Sequence, residues 1–230
     1  MARSAVLKEQ LDYYRARAGE YDDWFFRRGR YDRGPELNSL WRDDVEQVKA
    51  ALDRFGPRGR VLEMACGTGT WTGQLLQRAE SVTAVDASPE MLAINAARLG
   101  DAKIDYVCAD LFRWRPQERY DVIFFAFWLS HVPLRCFAPF WKMVAGGLAP
   151  GGRVFFVDSL HEETSAAKDH VLPEPRAETA VRRLNDGREF RIVKVFHEPD
   201  DLERHLRRLG WGVEVGRTAR YFVQGHGGMS

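Results

Sequence analysis

A glycine-containing turn after the first apolar strand is the segment whose residue types best suggest chemistry. It covers residues 61–70, VLEMACGTGT, and a helical pattern follows it. Glycines in such a turn permit positive φ and let a ligand approach main-chain N–H groups closely. Asp86 ends the next predicted strand, where a carboxylate accepts hydrogen bonds from two ribose hydroxyls. Gly67, Gly69 and Asp86 together predict a ligand that contains adenosine.

Three sequence motifs indicate which of two adenosine-containing cofactors fits this sequence better. Gly67, Gly69 and Gly73 also fit a dinucleotide fingerprint for NAD or NADP. However, residues 63–69 (EMACGTG) and 85–92 (VDASPEML) resemble the first and second motifs of class I S-adenosylmethionine-dependent methyltransferases. Residues 148–152 (LAPGG) resemble the turn before strand five of that family. The order of these motifs favours S-adenosylmethionine, with S-adenosylhomocysteine as its product.

The resemblance implies a cofactor-binding role for each matching residue. The set is Glu63, Ala65, Gly67, Gly69, Trp71, Asp86, Ala87, Met91, Asp110, Leu111 and Phe127. By this resemblance, Glu63, Ala65, Gly67 and Gly69 surround the methionine part of the cofactor. Asp86 binds the ribose, and Met91 covers one face of the adenine. Asp110 faces the adenine amino group, with Leu111 beside it. Trp71 has two open interpretations, as a wall of the methionine pocket or as an anchor of its helix in the core.

The segment after the fourth strand supplies the candidate catalytic residue. It covers residues 125–133, FAFWLSHVP, and the family places acceptor-facing residues here. His131 is our candidate general base or substrate hydrogen-bonding group, because histidine titrates near neutral pH. The alternative is that His131 holds the loop or touches the cofactor. Phe127 and Trp128 are expected to form an apolar wall.

Aromatic side chains are concentrated near the N-terminus, in residues 13–31. One interpretation is an extension that packs on the main fold; the other is a lid that covers a ligand. We assign Tyr14 and Tyr21 to the catalytic set with His131. Their rings could shield a sulfonium from water and hold a flat or cationic acceptor.

Several residue patterns are missing, and their absence narrows the reaction. The segment after strand four has no Asn-Pro-Pro-aromatic or Asp-Pro-Pro-aromatic sequence, which argues against methylation of amino groups on nucleobases. It also has no carboxylate cluster of the kind that Mg²⁺ requires. The three cysteines form no CxxC pair, so a thiolate metal site has no support. We expect no metal in the reaction.

Charge and hydropathy limit the partners. The chain has 34 basic and 33 acidic residues, so it has no net charge that would favour nucleic acid or an anionic membrane. No apolar stretch is long enough to cross a bilayer, and the N-terminus lacks the apolar core of a secretory signal. We predict a cytoplasmic protein with a small-molecule substrate and no membrane partner.

Short apolar runs alternate with helical patterns from residue 60 onward, which is typical of a parallel sheet. We predict an α/β, Rossmann-like fold with seven mostly parallel strands, flanking helices and an N-terminal helical lid. The single domain comprises the lid segment (1–56), the cofactor-binding core (60–158), and an insertion with closing strands (159–230). Predicted strands are 60–64, 81–86, 104–108, 120–125, 153–158, 189–196, 211–218 and 220–223. Predicted helices are 4–17, 36–55, 70–79, 89–99, 134–148 and 199–209, and 161–187 is expected to form helix and loop.

These observations favour methyl transfer from S-adenosylmethionine to an oxygen or nitrogen of a small organic metabolite. Two alternatives stay open. Arginines such as Arg27, Arg28 and Arg30 could form a basic patch for an RNA or protein substrate, although acids lie between them. A protein that binds S-adenosylmethionine without transferring the methyl group would keep the same motifs.

Overall fold

The computed structural model describes residues 4–100 and 103–230. Its α-helices are α1 (Ala5–Arg17), α2 (Tyr21–Phe25), α3 (Pro35–Phe55), α4 (Thr70–Leu75), α5 (Pro89–Leu99), α6 (Phe137–Gly147) and α7 (Pro199–Arg208). Its strands are β1 (Arg60–Met64), β2 (Ser81–Asp86), β3 (Ile104–Cys108), β4 (Tyr120–Ala126), β5 (Leu148–Ser159), β6 (Thr179–Arg183), β7 (Glu189–Val193), β8 (Trp211–Arg217) and β9 (Phe222–Met229).

The main sheet has seven strands in the order β3-β2-β1-β4-β5-β9-β8. β1 to β5 are parallel, and β8 and β9 close the sheet as an antiparallel pair. Most residues of the central strands β1 and β4 are buried because helices cover both of their faces. The predicted Rossmann-like sheet with N-terminal helices is confirmed.

Two hydrophobic cores lie on opposite faces of this sheet. On one face, Trp141 of α6 packs against Phe125 and Phe156. On the other face, α3 and α4 pack against Phe124 and Phe155. Alternate residues of β4 and β5 therefore supply each core, as expected from the two-residue period of a strand.

The helix that follows β2 begins as its sequence predicts. The Ser88 hydroxyl accepts a hydrogen bond from the Met91 N–H at 3.2 Å, and Pro89 occupies the first helical turn. This cap satisfies an N–H group that has no partner within the helix. The cap fixes where α5 starts, directly after Asp86.

The insertion differs from the prediction of helix and loop over residues 161–187. The structure has only a short 3₁₀ turn at Glu163–Ser165, followed by β6. β6 pairs with β7 in a separate two-stranded antiparallel sheet, so the strand predicted at 189–196 ends earlier and lies outside the main sheet. Ala180 and Arg182 point inward while their neighbours are exposed, which gives β6 the alternation of a strand.

Several other elements have different lengths from those predicted. β5 begins at Leu148 and not at residue 153, and α6 begins at Phe137 and not at residue 134. α4 ends at Leu75 rather than at residue 79. β9 extends to Met229, although its sequence contains several glycines, which usually weaken a strand. Gly225 is required there because a Cβ at this position would lie 2.4 Å from the Phe156 ring. Close packing on β5 thus explains why β9 contains a glycine at this position.

The N-terminal helix packs beside the β6–β7 hairpin. Tyr13 of α1 is buried, and its ring centroid is 5.7 Å from that of Phe190 in β7. One turn earlier, the Gln10 side-chain oxygen accepts the Val193 N–H at 2.9 Å. None of the helices in the described ranges is both long enough and apolar enough to span a membrane.

Candidate active site

A cavity lies at the carboxyl ends of the parallel strands. Sequence-predicted residues that line it are Ala65, Gly67, Asp86, Ala87, Met91, Asp110, Leu111, Phe127, Tyr14, Tyr21 and His131. Residues from α1 form the opposite wall. Ligands of open parallel α/β sheets bind at this edge. We refer to this space as the cofactor cavity.

Left-handed backbone conformations shape the turn after β1. Ala65 has φ +55°, Gly67 has φ +53° and Gly69 has φ +90°. A Cβ at Gly69 would lie 2.6 Å from the side-chain oxygen of Asn95, so this glycine allows α4 and α5 to approach each other. Gly69 therefore shapes the turn without lining the cavity. Ala65 adopts a conformation that costs a non-glycine residue free energy, as is common at functional sites.

Asp86 joins the turn to the end of β2. Its two carboxylate oxygens accept the N–H groups of Gly67 at 3.0 Å and Ser88 at 2.9 Å. Burial raises the pKa of Asp86, whereas the donated hydrogen bonds lower it in part. The carboxylate is therefore held in place at the wall of the cofactor cavity.

A smaller cavity adjoins the glycine turn and is lined by two more predicted residues. Glu63 lines it and accepts the Thr72 hydroxyl at 2.6 Å. Burial raises the pKa of Glu63 to about 8, although the Thr72 hydrogen bond opposes this shift. Trp71 lines the same cavity and also packs on Phe124, so it is part of the core and also borders the space beside the glycine turn.

Asp110 and Leu111 lie just beyond β3. One oxygen of Asp110 accepts the Phe112 N–H at 3.1 Å, and Arg113 lies 3.8 Å from the other. Leu111 is buried. Both residues line the cofactor cavity, on the side of Asp86 and Met91.

A second cavity adjoins the first. Four residues line both spaces: Tyr14, Tyr21, Phe127 and His131. Phe127 has φ +54°, a left-handed conformation that is rare for an aromatic residue. We call the second space the acceptor cavity, after the ligand that we propose for it below, and these four residues the junction.

Three buried cations line the acceptor cavity: Arg17, Arg182 and Lys194, each 8 % exposed. Arg17 donates to the Tyr31 hydroxyl at 3.2 Å, and its guanidinium lies 4.9 Å from the Tyr21 ring centroid. Arg182 donates to the Val181 carbonyl at 3.2 Å. Among the described residues, neither arginine forms an ion pair, and no acidic residue lines this cavity.

Lys194 is the one cation of the three with a carboxylate nearby. Its Nζ is 3.8 Å from Asp158 and donates to the Ser130 hydroxyl at 2.9 Å. Burial lowers the pKa of Lys194 to about 8, although Asp158 opposes the shift. The cavity thus has an excess of positive charge, which does not suit the cationic acceptor considered from the sequence.

His131 is buried at the junction and has partners on both ring nitrogens. Nδ1 lies 2.7 Å from the Val193 carbonyl, and Nε2 lies 2.7 Å from the Tyr14 hydroxyl. Burial, assisted by the charge of Lys194, lowers the pKa of His131 to about 3. The imidazole is therefore neutral at physiological pH.

The aromatic N-terminal segment both packs on the main fold and lines the cavities. Asp22 accepts the Thr68 hydroxyl at 2.6 Å and pairs with Arg98, which ties α2 to the glycine turn. Trp24 donates to the Ser165 carbonyl at 2.9 Å, and its side chain lines the acceptor cavity. Each of the two interpretations of this segment describes part of the structure.

Sequence reasoning missed most of the acceptor cavity. Arg182 and Lys194 lie in or directly after the β6–β7 hairpin, which was not predicted. Arg17 could have been found, because it lies one helical turn after Tyr14 and shares its face of α1. Among residues 4–100 and 103–230, no group of three or more His, Cys, Asp or Glu residues is arranged to hold a metal ion.

Comparison with known proteins shows the family. A model described as a methyltransferase domain matches residues 61–152. Ubiquinone biosynthesis O-methyltransferase of Xylella fastidiosa is 32% identical over 215 residues, covering 85% of this chain and 83% of that protein. Trans-aconitate 2-methyltransferase of Streptomyces avermitilis is 36% identical over 166 residues. This match covers 69% of this chain and only 60% of the length of that methyltransferase.

Solved structures agree with this result over the whole chain. The DhpI–SAM–HEP complex has a TM-score of 0.78 and 40% sequence identity, and the match covers 98% of this chain and 99% of that one. The DhpI–SAH complex has a TM-score of 0.77 at 38% identity. Because the motifs, the sheet order and these relatives agree, the chain belongs to the class I S-adenosylmethionine-dependent methyltransferases.

Proposed function

We propose that this enzyme transfers the methyl group of S-adenosylmethionine to an anionic oxygen of a small organic acid. The observation that carries the proposal is the acceptor cavity, where Arg17, Arg182 and Lys194 are buried and, among the described residues, Asp158 is the one carboxylate that pairs with any of them. Three positive charges against one negative charge leave an excess of two. A small acid with two negative charges matches that excess.

The cost of burying charge supports an anionic ligand. A buried cation without an anionic partner destabilises a protein unless another group compensates it. Arg17 has, in addition, a buried Nε atom without a hydrogen-bond partner. Arginine binds carboxylates and phosphoryl groups through paired N–H donors, so these side chains suit such a ligand.

The residues of the cofactor cavity fit S-adenosylmethionine. A Cβ on Gly67 would point toward the Tyr21 ring, 4.0 Å away, so the glycine keeps the space beside the turn open. Asp86 is our candidate for the ribose hydroxyls, Met91 and Leu111 for the adenine, and Glu63 for the methionine part. When bound, S-adenosylmethionine supplies an electrophilic methyl group on a sulfonium and leaves as S-adenosylhomocysteine.

An anionic oxygen also simplifies the chemistry required of the protein. Such an acceptor has no proton to lose, so no general base is required, and the neutral His131 is consistent with this. The cations hold and orient the acid, while Tyr21 and Phe127 exclude water at the junction. Orientation of two reactants can lower a barrier by roughly 7 kcal/mol in favourable cases.

The names of relatives support the proposal. One methylates trans-aconitate, an organic acid, and another is an O-methyltransferase of ubiquinone biosynthesis. Both share more than 30% identity with this chain. These names favour transfer to oxygen over transfer to nitrogen.

The test begins with cofactor binding and continues with turnover. Calorimetric titration should show binding of S-adenosylmethionine and none of NAD. Release of S-adenosylhomocysteine is then measured with small carboxylates, including trans-aconitate, with small phosphonates, and with phenols, amines and bulk RNA. We expect turnover with at least one class of acid. Turnover with phenols, amines or RNA alone would reject the acid acceptor, and cofactor binding without any turnover would favour a non-methylating protein.

A further inference from the structure

We infer that His131 is a positioning residue, which fixes the hydroxyl proton of Tyr14 and so presents the Tyr14 oxygen as a hydrogen-bond acceptor at the junction. The inference rests on the proposed methyl transfer. In this inference His131 acts by orienting Tyr14 and does not remove a proton from the substrate.

The direction of the first hydrogen bond follows from the chemistry of its partner. The Val193 carbonyl, 2.7 Å from His131 Nδ1, can only accept. Nδ1 must therefore carry a hydrogen and donate it. In a neutral imidazole, Nε2 then has a lone pair and no hydrogen. The tautomer of His131 is thus set by β7.

The second hydrogen bond follows from the first. Nε2 lies 2.7 Å from the Tyr14 hydroxyl, so Tyr14 must be the donor. Burial raises the pKa of Tyr14 well above its ordinary value, which keeps this hydroxyl protonated. Once its one hydrogen is directed at Nε2, the Tyr14 oxygen can only accept further hydrogen bonds.

Neighbouring groups hold His131 rigidly. The Ser130 N–H donates to Asp158 at 2.8 Å, and the Ser130 carbonyl accepts the Val195 N–H at 2.8 Å. Gln10 accepts the Val193 N–H at 2.9 Å and donates to the His131 carbonyl at 3.4 Å. The imidazole and its acceptor therefore move as one unit, and this rigidity suits a positioning residue.

The position of Tyr14 and His131 at the junction explains what a fixed Tyr14 hydroxyl can do. Tyr14 and His131 line both cavities, and a group that passes from one ligand to the other must pass the junction. Transfer from a sulfonium to an anionic oxygen would reduce both full charges, and the group in transit would be a methyl group with partial positive charge. A fixed acceptor oxygen that needs no reorientation would stabilise that partial charge better than a mobile hydroxyl does. An oxygen that accepts, but does not donate, suits a positively charged partner on the cofactor side.

The first test reads the tautomer without any turnover. The chain has six histidines, and nitrogen NMR of isotope-labelled histidine distinguishes their protonation. We expect a neutral ring with its hydrogen on Nδ1, unchanged into the acid range where exposed histidines become protonated, and missing in His131→Gln. His170, whose Nε2 accepts the Arg183 N–H at 3.0 Å and whose pKa burial lowers to about 4, should give a similar signal that stays in that variant. A hydrogen on Nε2, or titration like an exposed histidine, would overturn the inference.

The second test compares variants with the best acid from the turnover panel. Tyr14→Phe and His131→Leu should each lower kcat by about tenfold, the effect of one hydrogen bond, and the double variant should fall no further. His131→Gln, whose side-chain oxygen can accept from Tyr14, should retain most of the rate. The Kd for S-adenosylmethionine and the acceptor KM should stay within about threefold, a difference well below one hydrogen bond.

The outcomes separate the inference from the proposed function. Absence of transfer by the wild-type enzyme with every acid would reject the proposed function. Transfer by the wild type, with His131→Gln as slow as His131→Leu or with additive losses in the double variant, would reject positioning through Tyr14. If His131 were instead a base, His131→Gln would also lose an inflection in the pH profile of kcat.

Discussion

The cofactor cavity and the acceptor cavity share a wall, yet they are built in different ways. The cofactor cavity is formed by the ends of adjacent parallel strands, and acids such as Asp86 and Asp110 line it. The acceptor cavity is formed by α1, by the β6–β7 hairpin and by the segment after β5, and cations line it. Opposite charges on the two sides suit two ligands of opposite charge that react at the junction.

This difference shows how a common scaffold separates its two tasks. In our proposal, the cofactor is held mainly by main-chain turns and by side chains that adjacent strands position. The proposed acceptor is held by side chains from segments far apart in the sequence, such as Arg17 and Lys194. Changes in those segments can alter the acceptor without disturbing the cofactor cavity. Variants in one cavity should therefore leave the other largely intact.

Loss of two cations should give the largest effect. Arg17→Met together with Lys194→Met removes two charged hydrogen-bond donors and should raise the acceptor KM on the order of 1,000-fold. The Kd for S-adenosylmethionine, measured by calorimetry, should stay unchanged. Arg15→Met, an exposed position on the same helix, is the control. An equal loss of cofactor affinity would show that the two cavities are not separable.

The reverse experiment changes the cofactor cavity. Asp86→Asn removes the charge from the proposed ribose ligand and should weaken binding of S-adenosylmethionine on the order of 100-fold. Asp105→Asn, at an exposed position of β3, is the matched control. Calorimetry measures both variants. Wild-type affinity in Asp86→Asn would remove this residue from the cofactor site.

The pH dependence of the acceptor KM sharpens the comparison. Lys194, near Asp158, Arg17 and Arg182, has a pKa lowered from 10.5 to about 8, so it loses its charge above that pH. The acceptor KM should therefore rise by up to about tenfold for each pH unit above the pKa. Bound anion raises the pKa of Lys194 and limits the effect. Lys194→Arg should remove this dependence, and an unchanged profile in that variant would assign it to another group.

Backbone strain gives the smallest predicted effect. Ala65→Gly relieves a left-handed conformation and should raise the free energy of unfolding by roughly 0.5–1 kcal/mol. Ala51→Gly, inside α3, should lower it by roughly the same amount because glycine destabilises a helix interior. Denaturant titration measures both. A loss of stability in Ala65→Gly would mean that this position is not strained.

The sequence predicted the cofactor side far better than the acceptor side, for a physical reason. Gly67 and Asp86 belong to strand-turn-helix units, whose local pattern determines where these residues lie. His131 was found because it follows β4 at the same edge. Arg182 and Lys194 reach the acceptor cavity only through the β6–β7 hairpin, whose packing on α1 is a tertiary contact. The full length of β9 was not predicted for the same reason. Gly225 packs on Phe156 of β5, and this tertiary contact is not visible in the local sequence pattern.

The product of the reaction tests the central claim most directly. The enzyme is incubated with S-adenosylmethionine carrying a deuterated methyl group and an equimolar pool of small carboxylates, phosphonates, phenols and amines. Mass spectrometry then identifies the labelled products. We predict a labelled methyl ester of an acid and no other labelled compound. A labelled amine or phenol without any labelled ester would contradict an acceptor cavity built for anions.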